Sequence, residues 1–447
     1  MDNENASCAY DDEENAQLSP LQRLPVEYSA VFQIFLHICS FLDGSTLVHG
    51  LSLVCKQFYQ ILKNANSLWK ARINHIWPDA SYPLLPPASP DELCWMLSYV
   101  TIKQETALWK QQESRKKRLF IKKKSGYMNN IMNAVSLMHV NGISHAVYTS
   151  KTHLFYKELP QRKELSYEIE NFGRIKLTHS SGIRDLTAID NTIYSCSMDP
   201  NVKSWMLTNT GLVHQRTYDL PRSDRFSSLW SPCMSSCPGP GRDLFATGLD
   251  CGTIYVFDSR SRNNPISHYR PHTRDVNSLA MNAEYILSTS LDKTVSVWDQ
   301  RAGRTMKSIT FPGKAHFPTC INMRRDLVFV GTRTWDKSRS WDFPKLHVLN
   351  PKDDFKLVKS YSTEHTKNIT RVHLTHECLI TSSEDGTVRI SSLTDPPKPI
   401  ATLRSEIGGI NDMDYLNGTL AAVGSGIKVW CPKLTCSTKR VQRNNNK

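Results

Sequence analysis

Hydrophobic and polar positions alternate in short runs over the last two-thirds of the chain, and these runs recur at a nearly constant interval. The clearest run extends from Ile286 to Asp299 and contains two strand-like segments separated by Leu-Asp-Lys. Seven such runs end about every 46 residues, at Tyr156, Trp205, Phe257, Trp298, Val348, Ser391 and Trp430. A Trp-Asp ending with this period is typical of β-propeller blades. One blade cannot bury both of its faces, so we predict seven blades that close into a ring.

The apolar residues near the N-terminus follow a helical period instead. They form two sets, the first being Val31, Ile34, Phe35, Ile38, Phe41 and Leu42 and the second Leu47, Leu51, Val54, Phe58, Ile61 and Leu62. We predict two amphipathic helices, with Gly44 ending the first and Asp43, Ser45 or Thr46 capping the second. Ser67 is the predicted cap of a third helix that carries Trp69. So small a domain cannot bury all of this surface, which therefore binds a partner or packs on the propeller.

A connector follows, and its composition changes twice. Residues 78–90 are rich in proline, which disfavours helix, and Ser89 to Glu92 then has the pattern of a helix start. Two basic runs, 115–118 and 122–124, bracket Leu119 to Ile121. They have the composition of a nuclear import signal or of an anion-binding patch, and equally that of an edge strand protected by lysines. Leu119–Ile121 fits the outer strand of the last blade, while the tail after Trp430 is the competing candidate.

These patterns predict a multidomain protein in which a small all-α domain and a helical connector precede an all-β, seven-bladed propeller. The predicted segments are 1–20, a disordered acidic N-terminus; 21–77, the helical domain; 78–128, the spacer and connector; 129–432, the propeller; and 433–447, a disordered basic tail. The start of the chain does not resemble a secretory signal, and no apolar stretch is long enough to cross a membrane. The twelve cysteines lack zinc-ligand spacing. We expect reduced thiols and neither a metal nor a cofactor.

Several short elements of the helical domain are similar to an F-box. They are Leu24-Pro25, the run from Ile38 to Leu42, Val54-Cys55 with Phe58, and Leu68-Trp69. An F-box followed by Trp-Asp repeats is the arrangement of the F-box/WD-repeat proteins. Two departures from the family pattern occur: Leu24 lies further upstream of Ile38, and Phe58 stands where the family most often has tryptophan.

The resemblance implies that the helical domain docks on the Skp adaptor of a cullin-RING ubiquitin ligase. Apolar side chains on the helices of a small domain suit such an interface, because a few buried anchors usually dominate the binding energy. The residues that correspond to the family motif, and that we predict to bind the adaptor, are Leu24, Pro25, Ile38, Leu42, Val54, Cys55, Phe58, Leu68 and Trp69.

Histidine and aspartate recur together in the predicted blades, as His179 with Asp199, His272 with Asp292 and His365 with Asp385. In the family, such pairs join a serine or threonine and a tryptophan in a hydrogen-bonded network. His272, Ser288 or Ser290, Asp292 and Trp298 fit that network best. A catalytic triad uses similar residues. Repetition in several blades favours a structural role, since an active site is built once.

Basic residues follow the blade-opening histidines and are the predicted substrate-binding residues: Arg184, Arg274, Lys367 and Arg371. Together they would hold an acidic or phosphorylated protein segment, although ordinary surface charge has the same appearance. Two longer stretches, 332–341 and 231–241, are predicted to be loop insertions, which are common binding elements.

The leading hypothesis is a non-catalytic substrate-recognition subunit of a Skp–cullin–F-box ubiquitin ligase, acting in the cytoplasm, the nucleus or both. The second hypothesis, motivated by the net charge of +13, is a WD-repeat scaffold associated with nucleic acid or a nuclear complex. Its basic runs lack interleaved stacking aromatics, which weakens it. An enzyme is disfavoured because the chain contains no P-loop, HExxH or GxSxG sequence.

Overall fold

The computed structural model describes most of the propeller and the front helices, namely residues 26–76, 95–96, 99–100, 103, 106–107, 109–110, 119–121, 131–141, 143–159, 173–175, 178–220, 233–237, 243–260, 263–311, 316–324, 327–334, 343–375, 378–416 and 418–430. The chain divides into two compact units. The front unit contains the helices and the connector up to residue 103, and the second unit contains the propeller. Among the described helices none is long and apolar enough to span a bilayer.

The described part of the front unit includes four helices and one short turn: α1 (Val26–Phe41), α2 (Gly44–His49), a 3₁₀ turn (Leu51–Leu53), α3 (Lys56–Asn64) and α4 (Asn66–Ile76). Their core is built from Cys39, Leu47, Val48, Ile61, Leu62, Trp69 and Ile73, with Met96 and Tyr99 from the connector. Connector residues therefore contribute to the hydrophobic core of the front unit.

The predicted second helix is in fact broken. Cys55 adopts an extended conformation, with φ −154° and ψ 162°, and its Sγ accepts a hydrogen bond from the Phe58 backbone at 3.4 Å. The apolar period continues across this break, which explains why the pattern did not reveal it. Two predicted helix ends also need correction: Gly44 begins α2, capped by Asp43, and Ser67 lies inside the first turn of α4.

Seven four-stranded antiparallel sheets form the propeller, which confirms the predicted number of blades. Blade 1 contains β2 (Val135–Val140), β3 (Ile143–Ser150), β4 (His153–Glu158) and β5 (Gly173–Ile175). Blade 2 contains β6 (Ile183–Ile189), β7 (Thr192–Ser197), β8 (Asn201–Thr208) and β9 (Gly211–Asp219). Blade 3 contains β10 (Cys233–Cys237), β11 (Leu244–Gly248), β12 (Ile254–Asp258) and β13 (Ser267–Tyr269). Blade 4 contains β14 (Val276–Met281), β15 (Tyr285–Ser290), β16 (Thr294–Asp299) and β17 (Arg304–Thr310).

The remaining blades complete the ring. Blade 5 contains β18 (His316–Arg324), β19 (Leu327–Thr334), β20 (Lys345–Asn350) and β21 (Lys356–Ser362). Blade 6 contains β22 (Ile369–Leu374), β23 (Cys378–Ser383), β24 (Thr387–Ser392) and β25 (Pro399–Arg404). Blade 7 contains β26 (Asp412–Leu416), β27 (Thr419–Val423) and β28 (Ile427–Trp430), with β1 (Leu119–Ile121) as its fourth strand. The seven residues that revealed the repeat all lie in third strands.

The first strand of each blade contacts the first strands of its neighbours, and β26 contacts β2, so the ring is closed. The closing strand is β1, whose Leu119, Phe120 and Ile121 lie opposite Val429, Lys428 and Ile427 in an antiparallel pair. This observation decides between the two candidate closures in favour of the strand from the connector. Side chains also join the two ends of the ring: Asp412 and Asp414 accept hydrogen bonds from the backbones of Val135 and Leu137, at 2.9 and 2.7 Å.

Both predicted insertions are in part regular structure. Cys233–Cys237, inside the stretch 231–241, is β10, the innermost strand of blade 3. Thr332, Arg333 and Thr334, the start of the stretch 332–341, continue β19 and pair with β18. Proline and glycine around β10 disguised it, because its own five residues carry little apolar signal.

Candidate functional site

Among the front-unit residues whose burial is described, five large apolar side chains are exposed. Their exposed fractions are 60% for Ile34, 55% for Ile38, 77% for Phe41, 49% for Leu53 and 67% for Val54. Ile34, Ile38 and Phe41 are spaced by four and three residues, so they line one side of α1. The rings of Phe35 and Phe58 stack at 4.8 Å, which brings the start of α3, directly after Val54, beside α1. We call these five residues the apolar face.

The predicted adaptor-binding residues are distributed between this face and the core. Ile38 and Val54 belong to the apolar face, and Cys55 is exposed beside it. Leu42, Phe58 and Leu68 are half-buried. Leu24 and Pro25 lie outside the described residues. Ile34, Phe41 and Leu53 were not among the predicted residues, although α1 carries more apolar side chains than one buried face can accommodate, which was the available signal.

Trp69 is a core residue and not a contact residue, which corrects the prediction. Its side chain is fully buried, its indole N–H donates to the Leu62 carbonyl at 2.6 Å, and its ring lies 5.2 Å from that of Tyr99. A buried indole with a satisfied N–H contributes to stability. Trp69 therefore supports the apolar face from behind.

Two further groups fix the helices that carry the apolar face. The Arg72 guanidinium donates to the carbonyl of Cys39 at 2.9 Å and to that of Leu42, so α4 caps the C-terminal end of α1. Lys103 of the connector binds Asp43, the cap of α2, at 3.2 Å. Burial opposes ionisation of the Asp43 carboxyl, but the contact with Lys103 and the backbone hydrogen bonds from Ser45 and Thr46 together lower its pKa. The apolar face is thus presented by a braced set of helices.

The propeller contains the predicted His–Asp network in three blades. In blade 2, His179 Nδ1 lies 3.0 Å from Asp199, His179 Nε2 lies 2.8 Å from Ser195 Oγ, and the Trp205 indole N–H donates to the same Oγ at 2.9 Å. His272 with Asp292 and Ser288, and His365 with Asp385 and Thr381, repeat the arrangement in blades 4 and 6. The serine of blade 4 is Ser288, since Ser290 donates to the Arg274 carbonyl instead.

Backbone groups complete each network. The N–H groups of Ser180, Thr273 and Thr366 donate to Asp199, Asp292 and Asp385 respectively, at 2.9–3.0 Å. Burial opposes ionisation of these carboxyls, but the hydrogen bonds and the nearby histidines outweigh it and lower their pKa. The three copies share a histidine, an aspartate and a serine or threonine buried between strands, and their repetition indicates a structural role.

Comparisons with known proteins agree with both units. The F-box-like family matches residues 21–74, and the WD domain, G-beta repeat family matches 263–299 and 355–390, which include the His–Asp networks of blades 4 and 6. F-box/WD repeat-containing protein 9 of Homo sapiens is 25% identical over 409 residues, covering 89% of this chain and 81% of that protein. Its Bos taurus counterpart is 23% identical over 420 residues, covering 93% and 84%. The chain is thus similar to F-box/WD-repeat proteins over most of its length.

A solved structure supports the fold of the larger unit. A chain of the crystal structure of a mitotic checkpoint complex matches with a TM-score of 0.52 and 13% identity, covering 67% of this chain and 89% of that chain. At this identity the likeness concerns the fold alone. Neither family matched by the chain is an enzyme family.

One end of the ring carries exposed basic residues. Arg184, Arg274 and Lys367 are exposed and lie directly before, or at the start of, the first strands of blades 2, 4 and 6. At the same end, the half-buried Phe317 ring has Lys293 Nζ at 4.8 Å and Arg333 Cζ at 5.8 Å from its centroid. We call Arg184, Arg274, Lys293, Arg333 and Lys367 the basic end; Asp275 and Glu384 near Arg333 reduce its net charge.

Arg371 differs from the other predicted substrate-binding residues. Its guanidinium forms ion pairs with Asp185 and Asp412 between the inner strands. Two carboxylates occupy its donors, so it is not an open site for an acidic ligand. Lys293, Phe317 and Arg333 were not predicted, because turns from neighbouring blades bring them together and no sequence spacing records this.

Metal and redox chemistry have no visible basis in the described residues. No group of His, Cys, Asp and Glu side chains is arranged there to hold a metal ion. The cysteines within the described ranges form no disulfide. The basic runs 115–118 and 122–124, on which the nucleic-acid hypothesis rested, lie outside the described residues.

Proposed function

We propose that the chain is the substrate-recognition subunit of a Skp–cullin–F-box ubiquitin ligase, in which the front unit binds the Skp adaptor and the propeller captures the protein to be ubiquitylated. Transfer chemistry then belongs to other subunits. The observation that carries the proposal is the apolar face, five large apolar side chains that stay exposed beside a buried core.

The physical argument for the adaptor is one of area and shape. Each large aliphatic or aromatic side chain contributes about 1.5–3 kcal/mol when it is fully removed from water. The apolar face consists of such side chains on short helices braced by Arg72 and Lys103, so little conformational entropy is lost when it is covered. The F-box-like family match over residues 21–74 includes all five residues.

The test is binding of the purified Skp adaptor to the full chain, measured by calorimetry. Replacing Ile38 and Val54 together by serine should weaken binding by about 10- to 100-fold, since two exposed anchors are lost and the core is untouched. The matched control is Val213→Ser, an exposed valine on β9 of the propeller. Absence of binding by the unmodified chain, or equal binding by the double variant, contradicts the proposal.

For the substrate, the basic end is the part of the propeller that supports capture of an acidic or phosphorylated segment. Guanidinium and ammonium groups form charge-assisted hydrogen bonds that strengthen binding of carboxylates and phosphates. The test uses a phosphoserine peptide library, with the same peptides unphosphorylated for comparison. Changing Arg274 and Lys367 to glutamate should abolish selection of the acidic peptides and leave adaptor binding unchanged.

A further inference from the structure

Arg371 lies in β22 of blade 6, and its guanidinium spans the ring. Its Nε donates to Asp412 in the neighbouring blade 7, and its Nη2 donates to Asp185 in blade 2, at 2.5 Å. Blades 6 and 2 are three positions apart in a ring of seven. A contact between their innermost strands must therefore cross the axial channel.

Both carboxylates are fully used by this contact and by the surrounding backbone. Asp185 also accepts from the N–H groups of Leu186 and of Met234, the latter in blade 3, both at 2.9 Å. Asp412 also accepts from the N–H groups of Met413, at 2.8 Å, and of Val135 in blade 1, at 2.9 Å. One ionic group thus connects blades 1, 2, 3, 6 and 7.

The connected blades include the seam of the ring, where blade 7 meets blade 1. Along the chain, blade 7 is joined to blade 1 only through its outer strand β1, which precedes β2, whereas its three inner strands follow blade 6. A ring whose blades are joined by ion pairs across its axis resists opening at that seam. The corresponding position in blade 4 is Ser278, which donates nothing across the axis and accepts from Ile321 of the adjacent blade at 3.3 Å.

We propose that Asp185, Arg371 and Asp412 form an ionic brace that holds the propeller closed across its axis and guards the seam between blades 7 and 1. A buried carboxylate is stable only when it is paired and hydrogen-bonded. Removal of Arg371 therefore leaves two carboxylates without their cation, so both sides of the ring are destabilised at once.

The brace predicts a specific dependence on pH. Burial, opposed by Arg371 and reinforced by Asp412, raises the pKa of the Asp185 carboxyl to about 6. Loss of Arg371 raises that pKa further. A carboxyl with a raised folded-state pKa favours folding below its unfolded value of 3.8, and this contribution disappears as pH rises through the folded value. A variant without Arg371 should thus lose the most stability near pH 7.5 and the least near pH 5.

Other titratable groups also face the brace. Asp414 of β26 is half-buried, and desolvation of its carboxyl raises its pKa to about 6. Cys233 of β10 and Cys320 of β18 lie near Arg371, and burial raises the pKa of both thiols, so they stay neutral over this range. Strand β2 contributes only backbone N–H groups, which donate to Asp412 and Asp414. Asp414 therefore adds to the change in the same direction.

The experiment is hydrogen exchange by mass spectrometry on the full chain, comparing Arg371→Met with the unmodified protein at pH 7.5 and pH 5, corrected for intrinsic exchange rates. At pH 7.5, exchange in β22, β26 and the distant β6 should rise at least tenfold, and the rise should be smaller at pH 5. The control is Arg324→Met, which removes a bond to the Leu374 carbonyl between blades 5 and 6.

The triple change Asp185→Asn, Arg371→Met, Asp412→Asn tests the brace independently of folding yield. Neutral amides retain much of the hydrogen bonding to the backbone, so the triple variant should exchange more slowly than Arg371→Met at pH 7.5. If Arg371→Met fails to fold and the triple variant folds, the brace is supported. The brace is overturned if exchange rises in β22 alone, or if the triple variant exchanges as fast as Arg371→Met.

Discussion

Tyr99 of the connector lies so close to Gly44 that a Cβ built on the glycine would be 2.3 Å from the tyrosine hydroxyl oxygen. Tyr99 is buried and its ring also contacts that of Trp69. Beside it, Lys103 binds Asp43, and Lys70 Nζ lies 4.8 Å from the Trp95 ring centroid. The connector thus packs against the residue where α2 begins. Glycine is required at this position because a larger side chain would overlap Tyr99.

Gly44→Ala should destabilise the front unit. At an unobstructed helix position, alanine is favoured over glycine by up to about 1 kcal/mol. Here the added methyl overlaps a buried tyrosine, and overpacking costs typically about 1–3 kcal/mol. The net free energy of unfolding, measured by urea denaturation followed through tryptophan fluorescence, should therefore fall.

The control for this change is a double-mutant cycle with Tyr99→Leu. If the tyrosine causes the penalty, Gly44→Ala should cost less, or become stabilising, once the ring is gone. A stabilising effect of Gly44→Ala in the otherwise unmodified chain would show that the connector does not seat on α2.

Ser195→Ala should destabilise blade 2 by about 2–4 kcal/mol, because it removes the hydroxyl that hydrogen-bonds to two buried groups. The affected groups are His179 Nε2 and the Trp205 indole N–H. Thermal unfolding and hydrogen exchange in β7 and β8 measure the loss. Ser308→Ala, at an exposed strand position of blade 4, is the matched control and should change little.

Asp385→Asn should lower stability at neutral pH and lose its effect in acid. The pKa of Asp385 is lowered, since hydrogen bonds from His365 and Thr387 outweigh the opposing effect of burial. Such a carboxyl stabilises the fold above its unfolded pKa, and this stabilisation is lost as pH falls through the lower folded value. Denaturation curves should show a constant penalty from about pH 8 to 5 that shrinks below about pH 4. Asp353→Asn, on an exposed turn, should show no such profile.

Replacement of Leu119–Ile121 by Gly-Ser-Gly should open blade 7. Strand β28 would then lose its only outer neighbour, so its amide exchange should rise sharply while blade 4 is unaffected. The same replacement at 356–358 in β21 is the control and should expose β20 instead. Protection of β28 that survives the first replacement would mean that another segment closes the ring.

The repeats were predictable because each third strand ends at a recognisable residue, and the front helices because their apolar period is strong. The break at Cys55 was not predictable from the sequence, since a helix cap in the extended conformation leaves the apolar spacing of Leu51, Val54 and Phe58 intact. Trp69 matched a motif, but a motif does not distinguish a contact residue from the core residue behind it. Whether a side chain is exposed can be determined only once the helices are packed together.

The pairing of Arg371 with Asp185 lay beyond sequence reasoning for a different reason. The two residues are 186 positions apart, and only ring closure brings their strands face to face. The basic end has the same origin, because Phe317 and its two cations come from different turns. Local patterns predict elements well; contacts across a closed ring depend on the number of blades and on their register.

The origin of β1 affects how the protein is made. The ribosome releases Leu119–Ile121 before any other strand of the propeller, yet the partner strand Ile427–Trp430 emerges about 300 residues later. At roughly 5–20 residues per second, this first strand waits on the order of 15–60 seconds for its partner. A chain that stops anywhere before residue 427 therefore leaves both an unpaired strand at its beginning and an unfinished ring, which is a form that chaperones and proteases recognise.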